Sequence, residues 1–149
     1  MDKPSAQHHP VKKKRRFRNA LLEWFQANAK SYPWRETTDP WAILVSEIML
    51  QQTTVTSVIA NHRFEKFLEE FPNIKTIAIA SEKKILRAWE GLGYYNRVRN
   101  LQKAAQTILY KYQGNFPSEA ITLETLPGVG RYTAGAVSSF AFDLSLIHI

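Results

Sequence analysis

Residues 122–142 read TLETLPGVGRYTAGAVSSFAF, and the way this stretch folds decides the reading of the whole chain. Thr122 is placed to cap a short helix, LETL, after which Pro127 and Gly128 turn the chain and Val129 plugs the core. Gly130 then opens a second helix from about Arg131 to Phe142. A helix N-terminus reached by backbone without side chains points its first N–H groups outward, so it can hold an anion by peptide dipoles alone. Two helices joined through PGVG therefore offer amides to phosphate. An ordinary turn between neighbouring helices is the plainer alternative.

Upstream of this hairpin the chain reads as helix almost throughout. Phe17, Leu21, Leu22, Phe25 and Ala29 recur at helical spacing up to SYPW. Asp39-Pro40 is a start signal, an N-cap acid followed by proline, and opens WAILVSEIMLQQ. A third helix is predicted over 54–71, ended by Pro72, with Val55, Val58, Ile59, Phe67, Leu68 and Phe71 mostly on one face. Residues 73–80 read as one helical turn or a short extended piece. Ser81 caps a helix that runs through Trp89 to the glycines of GLGYY. Val98, Leu101, Ala104, Ala105, Ile108, Leu109 and Tyr112 form the cleanest amphipathic stretch, with Gly114 as its stop and Arg99, Lys103 and Lys111 outside. Strand-like alternation and internal repeats are absent, so the expected fold is all-α.

The chain has 149 residues, no cysteine and a net charge of +7. That length supports one domain and is short for two. Zero cysteine excludes disulfides, a thiol nucleophile and any Cys-ligated zinc or iron-sulfur site built from this chain, and four scattered histidines give no metal site. Residues 1–18 hold seven basic residues and one acid, whereas the other 131 hold 13 basic and 12 acidic. The charge thus belongs to a tail, residues 1–16, read as disordered and solvated ahead of a helical domain over 17–149. No apolar run approaches the ~18 residues of a membrane helix and no signal peptide is visible, so an intracellular soluble protein is expected.

Two further segments carry chemistry. The segment from Trp41 to Leu50 is apolar nearly all round, and Glu47 interrupts it. A carboxyl buried there resists ionisation and can hold a proton near neutrality, as a general acid must; a solvent-facing or ion-paired Glu47 is the alternative. One turn on, Gln51, Gln52, Thr53 and Thr54 either cap the helix end or stand at a pocket mouth where amides read base edges. In GLGYYNRVRN, residues 91–100, two glycines free the backbone, Tyr94 and Tyr95 present rings, and Arg97 and Arg99 add cations, a mixture suited to wedging into a base stack. One of the two tyrosines is expected in the core.

With SEIMLQQT, GLGYYNRVRNL and LPGVGRYTAGA in that order, and Pro33-Trp34-Arg35 ahead of them, the sequence resembles the catalytic domain of MutY-type adenine DNA glycosylases of the helix-hairpin-helix superfamily, from about Phe17 to Phe142. The resemblance implies hydrolysis of the N-glycosidic bond of adenine opposite 8-oxoguanine or guanine in duplex DNA, by a monomer in a bacterial-type cytoplasm at the nucleoid. It implies that Glu47 protonates adenine at N7. It places Tyr132 where endonuclease III relatives carry a lysine nucleophile, and so implies a monofunctional enzyme. Gln51, Gln52, Thr53, Leu92, Tyr94, Arg97, Gly128, Val129, Gly130 and Arg131 match DNA-contacting or intercalating positions, and Trp34 and Arg35 the base pocket. Three parts of the family are not seen: a second carboxylate in a Leu/Val-Asp-Gly-Asn-Val segment, which by spacing falls past Ile149, the four-cysteine [4Fe-4S] motif, and the domain that recognises 8-oxoguanine. Asp143 lies too early to replace the carboxylate. The expectation is thus an N-terminal fragment, inactive or nearly so by itself, whose full-length parent holds a [4Fe-4S] cluster. An endonuclease III-like pyrimidine glycosylase and a non-catalytic helix-hairpin-helix DNA-binding module are the alternatives.

Overall fold

A computed structural model describes residues 10–145, which divide into two units between Ser31 and Tyr32. The first unit contributes one helix, α1, Pro10–Asn28, closed at its end by Asn28 Nδ2 donating to the carbonyl of Trp24 at 2.8 Å. Residues 10–16, expected within a disordered tail, are helical: Pro10 suits the first helical position and Lys and Arg are good helix formers. The remainder of the expected tail lies outside the described residues.

The second unit is built around α2, Pro40–Met49. Asp39 Oδ1 accepts from the Trp41 amide at 3.1 Å, and every side chain from Trp41 to Met49 is buried. Trp41 Nε1 donates to the carbonyl of Phe71 at 2.8 Å and so ties the start of α2 to the chain some thirty residues on. The single helix expected over 54–71 is two, α3, Val55–Ala60, and α4, Arg63–Glu70, parted at His62, whose φ is 50°. The break has a packing cause. On one continuous helix Val58 and Phe67 would face roughly opposite directions; the break lets both turn inward, each 1% exposed.

Asn73 starts α5, Ile74–Ala78, with a reciprocal capping box to Thr76, which settles residues 73–80 as mostly helical. Ser81 caps α6, Glu82–Ala88, as its position predicts. α7, Asn96–Lys111, buries Val98, Leu101, Ala104, Ala105 and Ile108. Its Gln102 Nε2 donates to the carbonyls of Ile77 (2.9 Å) and Ala80 (2.8 Å), and its Gln106 Nε2 to that of Ala78 (2.9 Å), so α7 closes the end of α5. The chain leaves α7 through Gln113 (φ 54°) and Gly114 (φ 80°).

α8, Ala120–Leu123, begins after Glu119, and Thr122 lies inside it instead of capping it. α9, Arg131–Phe142, follows the turn at Gly128. Gly128 has φ 74°, and a Cβ there would meet Asn100 Cβ of α7 at 2.8 Å, so glycine is required on both counts. α2 packs on α9 and α7, and α8 on α9, which presses the hairpin against the central helix. Among the described residues there is no strand: the fold is all-α, with the helix-hairpin-helix at 120–142.

Candidate active site and nucleic-acid interface

Glu47 lies on the third turn of buried α2 and is 5% exposed. Loss of hydration raises its pKa above the ordinary carboxylate range; the Arg35 charge and hydrogen bonds oppose that rise without cancelling it. Arg35, last residue of a 3-10 turn, Pro33–Arg35, places Nη1 3.4 Å and Nη2 3.3 Å from Glu47 Oε1. Among the described residues no donor reaches the other oxygen. The guanidinium also lies over the Phe140 ring of α9, 3.9 Å from its centroid. Glu47 is therefore buried and ion-paired at once, and it does not face solvent. Phe140 escaped sequence reading because nothing in its own helix marks a ring that lies under an arginine a hundred residues earlier.

Trp34, expected as a base-pocket wall, belongs to the core. It is 2% exposed, stacked on Tyr32 at 5.2 Å between centroids and edge-on to Phe64 at 5.6 Å. Of that pair only Arg35 reaches the acid.

Arg97 also differs from expectation. Expected as a DNA contact, it is 8% exposed and both of its Nη atoms are engaged inside the protein. Nη1 donates to the carbonyls of Ile48 (3.2 Å), Met49 (2.9 Å) and Gln51. Nη2 donates to the carbonyls of Leu92 (2.8 Å) and Gly93 (3.1 Å) and to Thr53 Oγ1 (3.1 Å). Those oxygens come from the end of α2 and from the glycine loop, so one guanidinium fastens the two loops together. Burial lowers its pKa, partly offset by Tyr94, and Nε is buried without a partner. Leu92, likewise expected at the DNA, is buried beside it.

What the pinned loops expose are Gln52 and Tyr94. Both have left-handed backbone, φ 55° and 46°, and both line one cavity of about 390 Å³ with Tyr95. Positive φ at non-glycine residues is costly and concentrates at functional sites. Neither tyrosine is core: Tyr94 is 63% exposed and Tyr95 39%. Gln51 turns the other way, its Nε2 3.4 Å from Thr133 Oγ1 of α9.

In the hairpin, Val129 is 5% exposed and its amide donates to the Leu126 carbonyl at 3.1 Å, so it serves the turn and plugs the core. The first bond of α9 runs from the Ala134 amide to the Gly130 carbonyl at 2.9 Å, which leaves the amides of Arg131, Tyr132 and Thr133 outside the helical ladder. Gly128, Gly130, Arg131 and Tyr132 are all exposed, Tyr132 at 75%.

The family model described as HhH-GPD superfamily base excision DNA repair protein matches residues 45–145, which takes in the second half of α2 with Glu47, both pinned loops and the hairpin. The chain belongs to this superfamily. Within it, the chain is 44% identical over 128 residues to the adenine DNA glycosylase of Buchnera aphidicola subsp. Acyrthosiphon pisum, covering 85% of this chain and 36% of that one. It is 40% identical over 135 residues to the human adenine DNA glycosylase, covering 85% and 24%. Among solved structures, a thermostable thymine-DNA glycosylase superposes with a TM-score of 0.81 at 30% identity, over 89% of this chain and 61% of that one. A trapped endonuclease III–DNA covalent intermediate gives 0.72 at 27%, over 87% and 61%. The chain thus spans about a quarter to two-fifths of the length of the curated adenine glycosylases it matches. No helix among the described residues of this HhH-GPD protein is long and apolar enough to cross a membrane.

Proposed function

We propose that the protein acts on duplex DNA as an adenine glycosylase, taking adenine from pairs with 8-oxoguanine or guanine, as a monomer at the chromosome of a bacterial-type cytoplasm. The observation that carries this reading is Glu47, whose protonated form burial favours, on the helix whose end Arg97 pins to the loop of Tyr94. Adenine is a poor leaving group until it is protonated. Glu47 gives its proton to N7 of the extruded base, the bond from the sugar C1′ to N9 breaks with its electron pair going to the base, and the sugar becomes oxocarbenium-like. Water then adds at C1′ and returns a proton to the Glu47 carboxylate. Arg35 holds that carboxylate in place against Phe140. The α9 amides receive a DNA phosphate, and Gln52 and Tyr94 fill the gap left in the stack.

Tyr132 sets the chemistry to hydrolysis alone. A phenol forms no Schiff base with the opened sugar, whereas an amine does. A second carboxylate to steady the cationic sugar is not found beside Glu47 among the described residues, whose charged partner there is Arg35. The 149-residue chain by itself is therefore expected to excise adenine poorly. The residues present do not fit the [4Fe-4S] cluster that the resemblance implies for a longer parent: the chain has no cysteine, and no group of three His, Asp or Glu among the described residues could hold a metal.

Single-turnover excision on an adenine:8-oxoguanine duplex tests the reading in the complete protein. Glu47→Gln should abolish excision and spare binding. Near-normal rates in that variant would remove Glu47 from the acid's role, and release of pyrimidines instead of adenine would favour the endonuclease III-like alternative.

A further inference from the structure

We propose that a chain of three adjoining cavities on the second unit is a phosphate track for the flank of the DNA duplex, running from Gln52 and Tyr94 over α6 into the cleft between α4 and α6. The cavity at Gln52 and Tyr94 shares Tyr95 and Arg99 with a second, of about 610 Å³, that also takes in Leu86 and Glu90. The second shares Lys83 and Arg87 with a third, of about 580 Å³, between α4 and α6. Lys83 and Arg87 stand one helical turn apart on α6 and so form the crest that joins the two.

Charge is concentrated along this path. Residues 32–149 hold 12 Lys and Arg against 11 Asp and Glu, close to neutral. Arg63, Lys66, Lys83, Lys84, Arg87 and Arg99 all line the path, while Glu70 and Glu90 are its acids. Some of these cations are occupied: Lys84 Nζ lies 3.8 Å from Glu70 Oε1, Arg99 Nε 2.6 Å from Glu82 Oε1, and Arg63 Nη1 donates to the Glu90 carbonyl. Lys66, Lys83 and Arg87 have no ion-pair partner among the described residues and are exposed. On an otherwise near-neutral unit, a continuous path that starts at Gln52 and Tyr94 and carries three cations without ion-pair partners favours a polyanion that is already at that site, the same DNA.

The inference rests on the DNA-glycosylase reading and adds to it a second contact region, remote from Glu47 and the hairpin. Its test uses the complete protein with Lys66→Ala, Lys83→Ala and Arg87→Ala combined. None of the three side chains is buried or paired, so the variant keeps its fold. Binding to a lesion duplex with long flanks and to one with minimal flanks is followed against salt. Each lost phosphate contact lowers the slope of log K against log salt by roughly 0.9. The expected result is a slope smaller by about 2 to 3 on the long duplex, with no change on the short one and unchanged single-turnover excision at saturating protein. Equal slopes for wild type and variant on both duplexes would overturn the track, and so would an equal loss on both. A cleft built for an acidic protein gives the first of these. If wild type itself fails to excise adenine, the functional reading has failed; if wild type excises and the slopes coincide, only the track has.

Discussion

Arg35 and Glu47 meet through one carboxylate oxygen, with Nη2 3.3 Å from Oε1. Burial raises the Glu47 pKa and Arg35 pulls against it. If the protonated form does the work, excision should fall as pH rises through that raised pKa. Arg35→Met removes the opposing charge and should carry the falling limb to higher pH. Single-turnover rates across pH decide this; a limb that stays in place in Arg35→Met would separate it from Glu47.

The same shift makes a statement about stability, with a definite sign. A folded-state pKa above the unfolded one means the native protein binds the extra proton, so Glu47 supports folding at low pH and this support is lost as pH rises from the unfolded to the folded value. Glu47→Gln should therefore gain stability relative to wild type as pH increases through that window. Urea unfolding at several pH values measures it, and a difference independent of pH would contradict the burial argument.

Arg97 is worth more to the fold than its place among DNA-contacting motifs implied. Arg97→Ala takes the guanidinium from five carbonyls and a hydroxyl, of which Ile48 keeps the Gln51 amide and Gly93 keeps Trp89 Nε1, and should cost about 3 kcal/mol. Arg97→Lys keeps the charge but cannot split two nitrogens between the loops, and should recover only part of that. Loss of lesion affinity should accompany both. A stability change under ~0.5 kcal/mol in urea melts, the range of neutral surface changes, would rule out the pin.

Gly128→Ala should destabilise by roughly 1–3 kcal/mol, through left-handed backbone and through the 2.8 Å approach to Asn100 Cβ. The two causes separate: Asn100→Gly removes the clash and leaves the backbone strain. Thermal melts of the single and double variants should show partial rescue, and complete rescue would mean that φ at Gly128 costs nothing.

Borohydride reduction during turnover should give no covalent protein–DNA adduct, because Tyr132 supplies no amine. Trapping by the wild-type protein would assign the chemistry to a lyase.

The signals that act locally were legible. Asp39-Pro40 and Ser81 cap where their side chains predict, since a cap needs only amides two or three residues away. The all-helical fold and a buried Glu47 followed from the apolar pattern, and the hairpin from the PGVG turn. What escaped depended on distant partners. The break at His62 exists because Val58 and Phe67 must face one core, which a single helical face does not reveal. Arg97 reads as a DNA cation in GLGYYNRVRN, and the carbonyls of α2 that turn it inward lie more than forty residues earlier. Trp34 is core because Phe64 meets it edge-on, and Thr122 is no cap because α8 begins sooner.

The closure of α5 by Gln102 and Gln106 has a consequence in time. A five-residue helix does not persist in water alone, and its last carbonyls find their donors 22 to 28 residues further along the chain. At the pace of synthesis, about 5–20 residues per second, α5 leaves the ribosome on the order of seconds before the glutamines that complete it. During that interval Ile77 and the carbonyls beside it are without their α7 cover, so this turn becomes helical only once α7 has been made.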